Sequence, residues 1–133
     1  MRVAQFLDHL APAGKGRAAV ELANGLAELG CDSFLVCTRG GGALESTLDP
    51  RVETLFVERR WRIDPLAFLR IARWLSEREV EVLHSHNHPS SYLARVVVRL
   101  MRRRIVHVGT DHDGAGSHSR RQALLDWIWL RNI

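Results

Sequence analysis

Long apolar runs and cysteine are both scarce in this sequence, and each absence restricts what the protein can be. No apolar run approaches the roughly 20 residues of a membrane-spanning helix, and the first residues, MRVAQFLDHL, lack the pattern of a secretory signal. The two cysteines, Cys31 and Cys37, are about 20 Å apart along one predicted strand, which is too far for a disulfide. We therefore expect reduced cysteines and a cytoplasmic location.

Lysine is nearly missing as well, since Lys15 is the one lysine in the chain. Lysine and arginine together number 19 against 15 acidic residues, so arginine supplies almost all of the positive charge and the net charge is +4. Arginine binds phosphate and carboxylate through its planar fork. The excess of positive charge favours an anionic ligand or an anionic membrane surface, and it is too small to indicate a nucleic-acid partner.

The 133 residues contain no internal repeat or low-complexity segment and fit a single domain. Apolar segments follow the order β-α-β-β-α-β-α-β-α, which predicts a Rossmann-like three-layer α/β/α sandwich with a mainly parallel sheet of about five strands. The predicted strands are 3–7, 33–38, 52–57, 80–84 and 105–109, and the predicted helices are 17–29, 66–78, one beginning at Pro89 and one after residue 118. Ligands of such sheets bind beyond the carboxyl ends of the strands.

A glycine-containing segment, Gly14-Lys15-Gly16-Arg17, precedes the first predicted helix. It is not a Walker loop, because Arg17 stands where that motif needs Ser or Thr. It partly matches the dinucleotide fingerprint GxGxxA, but the acidic residue expected after the second strand is missing. Two interpretations stay open, which are an anion-binding helix start and a tight turn without a ligand.

Three histidines fall within five residues in His84-Ser85-His86-Asn87-His88, at the end of a predicted strand. Because they are two residues apart on a strand, His84 and His86 face the same way. No nearby Asp, Glu or Cys completes a metal-ligand set, so hydrogen bonding to a sugar or phosphate is favoured over a metal site. A structural role for His84 at the strand end is the other alternative.

The predicted loop 110–118, TDHDGAGSH, carries two acids and two histidines. General acid–base chemistry is one interpretation of this segment, and a polar loop with Ser117 as a helix cap is the other. No serine or cysteine stands in a nucleophile-elbow context, so a hydrolase is not supported.

Two arginine runs, residues 59–62 and 102–104, remain. The second ends a predicted helix, where cations complement the helix dipole. Solvated faces are the more frequent role of such runs. The alternative for Arg59–Arg62, which is interleaved with Trp61 and followed by Ile63, is peripheral contact with an anionic membrane.

Several of these segments, in this order, resemble the amino-terminal domain of glycosyltransferase family 4, whose members have the two-domain GT-B fold. Residues 17–30, RAAVELANGLAELG, are similar to the family's first helix, and residues 38–42 end the second strand in a glycine-rich turn. Residues 82–87, VLHSHN, and 108–114, VGTDHDG, resemble two later strand ends. The chain differs from the family at Ala13, where many members have glycine, and at Asp113, which follows His112 directly.

The resemblance implies a retaining glycosyltransferase that moves a sugar from a nucleotide-sugar to a hydroxyl acceptor, whether a glycan, a lipid-linked molecule or a small molecule. It implies neither a cofactor nor a metal ion. The residues that it assigns to donor or acceptor binding are Gly14, Gly16, Arg17, His84, His86, Asn87 and Asp111, and the residue that it assigns to catalysis is His112.

The family's donor-binding carboxyl-terminal domain has no counterpart in these 133 residues, so the resemblance implies a truncated domain, 1–133, that is inactive alone. A missing strand would leave a sheet edge that favours self-association. The alternative function is a stand-alone domain that binds a sugar, a phosphate ligand or a membrane surface. A nicotinamide-dependent oxidoreductase is disfavoured by the missing acid after the second strand.

Overall fold

The computed structural model describes residues 1–110 of the chain. Strands and helices alternate along these residues, with a short 3₁₀ helix at Ala43–Thr47 between the second and third strands. The elements are β1 (Arg2–Leu7), α1 (Gly14–Glu28), β2 (Asp32–Cys37), β3 (Glu53–Phe56), α2 (Pro65–Glu77), β4 (Val82–His86), α3 (His88–Leu100) and β5 (Val106–Thr110). The predicted loop after Thr110 and the predicted last helix lie outside the described residues.

The strands form one sheet in the order β3-β2-β1-β4-β5, and every neighbouring pair is parallel. This confirms the predicted Rossmann-like class. The chain leaves β1 toward β2 on one side and returns to β4 on the other, so the topological switch point lies between β1 and β4. Open α/β sheets bind ligands outside the carboxyl ends of the strands at such a point.

Each face of the sheet has its own apolar core, which completes the three layers. Helices α2 and α3 pack on one face around Phe6, Phe68 and Leu83, and α1 with the 3₁₀ helix packs on the other around Leu7, Val20 and Leu35. The two cysteines are free, as expected. Cys37 is wholly buried, and this burial raises the pKa of its thiol to about 12.

Two predicted elements were misplaced by more than one residue, and the other described elements agree to within one residue. Helix α1 begins at Gly14 instead of residue 17, since the first N–H groups of a helix need no intrahelical partner and glycine is tolerated there. Strand β4 spans Val82–His86 and not 80–84, because Glu79 turns the chain with φ 53° before the strand begins. His84 and His86 are therefore both within the strand.

Strand β5 is an edge of the described sheet, and its Val106 and Val108 side chains are exposed. Self-association through a sheet edge stays a prediction. Among residues 1–110, no helix has the length and apolar character that crossing a bilayer demands.

Candidate functional site

The loops that follow β1, β2 and β3 bring polar side chains together at the carboxyl edge of the sheet. Backbone pairing continues past the strands. Arg39 donates its N–H to the Asp8 carbonyl next to the parallel β1–β2 pair, and Arg59 donates its N–H to the Thr38 carbonyl in an antiparallel bridge between Arg39 and Glu58. Asp8, Thr38 and Arg59 are therefore neighbours. Together with Lys15 from the first turn of α1, we call them the carboxyl-edge cluster.

Asp8 is the centre of the carboxyl-edge cluster. The Thr38 hydroxyl donates to Asp8 Oδ1 at 3.3 Å, Arg59 places a guanidinium nitrogen 3.7 Å from the same oxygen, and Lys15 Nζ lies 3.9 Å from Oδ2. One carboxylate thus faces two cations. Arg39 lies close enough for its charge to act on Arg59.

The Arg59 side chain is only 5 % exposed, so the first arginine of the Arg59–Arg62 run is part of the interior. Its Nε donates to Thr38 Oγ1 at 3.2 Å, and another nitrogen donates to the Trp61 and Arg62 carbonyls. Burial, followed by the nearby charge of Arg39, lowers the pKa of this guanidinium. Arg59 therefore links the cluster to the loop that precedes α2.

Helix α1 begins beside this cluster without a side-chain cap. Ala13 occupies the cap position in extended geometry, no acid lies in the first turn, and Lys15 and Arg17 lie there instead. The amides of Gly14, Lys15 and Gly16 precede the first intrahelical bond, from Arg17 N–H to the Ala13 carbonyl. Cations at this end oppose the helix dipole, so the position favours an anion from outside.

The two glycines of this turn differ in whether the surrounding structure leaves room for a side chain. A Cβ on Gly16 would clash with the Ala11 carbonyl oxygen and crowd the Leu44 side chain, so Gly16 is needed for close packing of the loop against the helix. A Cβ on Gly14 would meet nothing within 4 Å. Of the two, Gly14 is the glycine that faces open space.

The histidine motif lies at the end of β4, next to β1 in the sheet. Leu83 belongs to the core under α2 and α3, so His84 and His86 project to the opposite face, as predicted. Their ring centroids are 4.4 Å apart. His86 is fully buried and donates from Nε2 to Gln5 Oε1 at 2.8 Å, whereas the half-buried His84 is hydrogen bonded to Thr110 Oγ1 at 2.6 Å.

Asn87 turns the chain from β4 into α3 with φ 75° and ψ 166°, a backbone conformation that residues other than glycine rarely adopt. Its Oδ1 accepts the Ser90 N–H at 3.1 Å, and its own N–H donates to the Thr110 carbonyl at 2.8 Å. The residue is 8 % exposed. Asn87 therefore caps α3 and fixes the end of β4 against β5.

A serine–histidine pair that the sequence analysis missed lies on the other face of β4. Ser85 Oγ is 2.8 Å from His107 Nε2 and 2.9 Å from Ser91 Oγ, and Ser85 has no exposed surface. Burial, with the charges of Arg95 and His84, lowers the pKa of His107. Because no substrate could reach Ser85, this pair holds β4, β5 and α3 together and is not a nucleophile with its base.

The candidate site thus has two halves on adjacent strands. Gly14, Gly16 and Arg17 follow β1, and His84, His86 and Asn87 end β4, so the structure brings both groups to the switch point. Asp111 and His112 lie outside the described residues. Within the part of the chain that the structure covers, no three His, Cys, Asp or Glu side chains are grouped to hold a metal ion.

Asp8, Thr38 and Arg59 were not predicted as site residues. Asp8 and Thr38 each directly follow an apolar strand, and Arg59 comes three residues after the end of β3. The position of a polar residue just after a predicted strand could have indicated Asp8 and Thr38 as site residues. The pairing among the three could not be predicted, because it depends on the order of strands in the sheet.

The sequence was compared with known protein families. The sequence profile described as Glycosyltransferase Family 4 matches residues 12–133, which includes α1, the histidine-bearing strand and the carboxyl-edge residues from Lys15 onward. A search of curated proteins gives no significant match. With a match over most of its length and an all-parallel Rossmann-like sheet, this chain belongs to glycosyltransferase family 4.

Proposed function

We propose that this domain is the acceptor-side half of a retaining glycosyltransferase, which transfers a sugar from a nucleotide-sugar to a hydroxyl acceptor in the cytoplasm. Family membership supports a glycosyltransferase-type domain. In the proposed reaction the bond between the anomeric carbon and the diphosphate breaks, and a bond from that carbon to the acceptor oxygen forms on the same face. The acceptor hydroxyl proton leaves with the diphosphate. A second domain would hold most of the nucleotide.

The observation that carries this proposal is the start of α1. An uncapped helix end, with Lys15 and Arg17 in its first turn and Lys15 and Arg59 facing the single Asp8 carboxylate, attracts negative charge. It lies at the switch point, where a diphosphate or a charged acceptor would arrive. We assign the open side of Gly14 to backbone N–H contact with that group and Arg17 to its charge.

The roles on the β4 side follow from burial. His84 is half-buried and belongs to the edge, so we assign it to hydrogen bonding with an acceptor or sugar hydroxyl. His86 and Asn87 are buried, and we assign them to the same site as residues that hold His84 and the turn in position. Asp111 as a binding residue, His112 as the catalytic residue, and a reaction without metal or cofactor stay proposals from the resemblance.

The test is a ¹⁵N NMR titration of the 133-residue chain with pyrophosphate and with uridine diphosphate. We expect the amide signals of residues 14–16 to shift first, because their N–H groups precede the first intrahelical bond and can point toward the proposed anion. Lys15→Gln combined with Arg17→Gln should weaken binding about tenfold. Arg51→Gln is the control, since Arg51 is exposed and paired with Asp49 away from the start of this helix.

Two results would contradict the proposal. Shifts spread evenly over all exposed arginines would mean general charge attraction and no site at α1. Turnover of a nucleotide-sugar by the purified chain would mean that the domain does not need a donor-binding partner.

A further inference from the structure

A group of large apolar side chains is exposed on the loop before α2 and on the first turns of that helix. The exposed fractions are 64 % for Trp61, 66 % for Ile63, 79 % for Leu66 and 50 % for Leu69. We call these four residues the α2 patch. Single exposed apolar residues are ordinary on a protein surface, but a contiguous group marks an interaction surface.

The loop that carries Trp61 and Ile63 is held in place from both ends. Arg59 donates to the Trp61 and Arg62 carbonyls from the interior. Asp64 accepts the Arg60 N–H at 3.0 Å and the Ala67 N–H at 3.3 Å. The loop therefore displays its apolar side chains through a defined set of hydrogen bonds.

Helix α2 continues the same surface through its periodicity. Its buried residues, Phe68, Ile71, Ala72 and Leu75, form the stripe that packs on the sheet. Leu66, Leu69, Arg70 and Arg73 recur at helical spacing on the opposite face, and all four are exposed. The helix thus has one apolar stripe in the core and a second, mixed stripe on the outside.

Arginine predominates among the charged side chains around the α2 patch. Arg60, Arg62, Arg70 and Arg73 are exposed around it. The nearby acids are largely engaged, since Asp64 is buried in its cap and Glu77 is bonded to Arg73 at 2.8 Å. Glu58 is exposed at the start of the loop. Apolar side chains ringed by arginine match the interface of an anionic bilayer, where the rings and alkyl groups enter and the guanidinium groups meet phosphates.

We propose that the α2 patch binds the surface of an anionic lipid membrane. This goes beyond the proposed transfer reaction and does not depend on it. A second copy of the chain fits this surface less well, because a two-fold contact would bring the same arginines against one another. The loop follows β3, so the membrane would lie near the carboxyl edge that holds the candidate site.

The proposal is tested by flotation of the full chain with vesicles of phosphatidylglycerol and phosphatidylcholine, compared with vesicles of phosphatidylcholine alone. We expect binding to the anionic vesicles that weakens as salt is added. Trp61→Ser with Ile63→Ser, and separately Arg60→Gln with Arg62→Gln, should each reduce the partition coefficient about tenfold or more.

Matched controls use exposed residues elsewhere on the chain. Leu29→Ser removes a side chain that is 81 % exposed, and Arg51→Gln with Arg104→Gln removes the same charge as the second variant. Unchanged circular dichroism in every variant shows that folding is intact. Equal binding to both vesicle types, or equal losses in patch and control variants, would overturn the proposal. So would concentration-dependent dimerisation that the patch variants abolish, since the occupant would then be a second copy.

Discussion

Helices α1 and α2 both begin at the carboxyl edge of the sheet, but their first turns are built in opposite ways. At α2 the Asp64 carboxylate accepts backbone N–H groups from Arg60 and Ala67, and Pro65 fills the first helical position. At α1 the cap position holds Ala13, and the first turn carries Lys15 and Arg17 without an acid. The first backbone N–H groups of α2 therefore have a side-chain acceptor, whereas those of α1 have none among residues 1–110.

The difference indicates that the start of α2 contributes to stability and that the start of α1 is suited to binding a ligand. The negative charge that complements the α2 dipole comes from the chain itself, so that end is complete in isolation. The α1 end lacks that charge and gains from an anion supplied by a ligand. A helix start that serves packing alone would be expected to resemble α2.

The largest expected effect comes from filling the first turn of α1. Gly16→Ala places a Cβ against the Ala11 carbonyl and should lower the free energy of unfolding by about 1–3 kcal/mol, because backbone must move to admit it. Gly14→Ala is the control and should change it by less than about 1 kcal/mol, toward greater stability. Urea unfolding measures both. Equal losses would show that the two glycines are not packed differently.

An intermediate effect comes from removing the α2 cap. Asp64→Ala leaves the Arg60 and Ala67 N–H groups without their acceptor and should reduce the folding equilibrium constant about tenfold. Asp64→Asn, which keeps an oxygen acceptor, should lose less. Thermal unfolding at neutral pH compares the three proteins.

The same substitution should also alter the pH dependence of stability. The Arg60 N–H, followed by that of Ala67, holds the pKa of Asp64 below its ordinary value of 3.8. The ionised cap therefore stabilises the fold above that value, and this contribution is lost as the pH falls through the lower folded-state pKa. Asp64→Ala should have a shallower loss of stability in acid than the parent chain. A parallel curve would mean that Asp64 is not the group that titrates.

The smallest expected effect comes from giving α1 the kind of cap that α2 has. Ala13 already has extended geometry, so Ala13→Asp can accept N–H groups from the first turn and should add about 0.5–1 kcal/mol to the free energy of unfolding. The same carboxylate should weaken pyrophosphate binding, because it occupies the position proposed for the anion. Higher stability with unchanged binding would separate the helix start from the ligand site.

Much of the fold was predictable because its local patterns and its topology agree. The strands are apolar runs bounded by glycine or polar residues, and the buried stripes of α2 and α3 have clear helical spacing. The start of α1 was misplaced because glycine is typical of loops, and only the packing of Gly16 on Ala11 shows why it stands in a helix. The end of β4 was misplaced because histidine and serine are not strand-forming in themselves.

The candidate site was predictable in part. The common face of His84 and His86 follows from strand alternation and is confirmed. The partners of His86 and Asp8 could not be predicted, since Gln5 and Arg59 are distant in sequence and become neighbours only through the strand order. Arg59 was grouped with an exposed arginine run, and its burial follows from the contact with Thr38, which no sequence pattern indicates.

The burial of Cys37 makes the chain suitable for site-selective labelling. With its thiol pKa raised to about 12 and no exposed surface, Cys37 stays protonated and shielded from a maleimide reagent at neutral pH. Cys31, the other cysteine, is partly exposed just before β2, at the edge of the sheet opposite the candidate site. A fluorophore attached to Cys31 would therefore report on the native protein without touching the residues proposed to bind ligand or lipid.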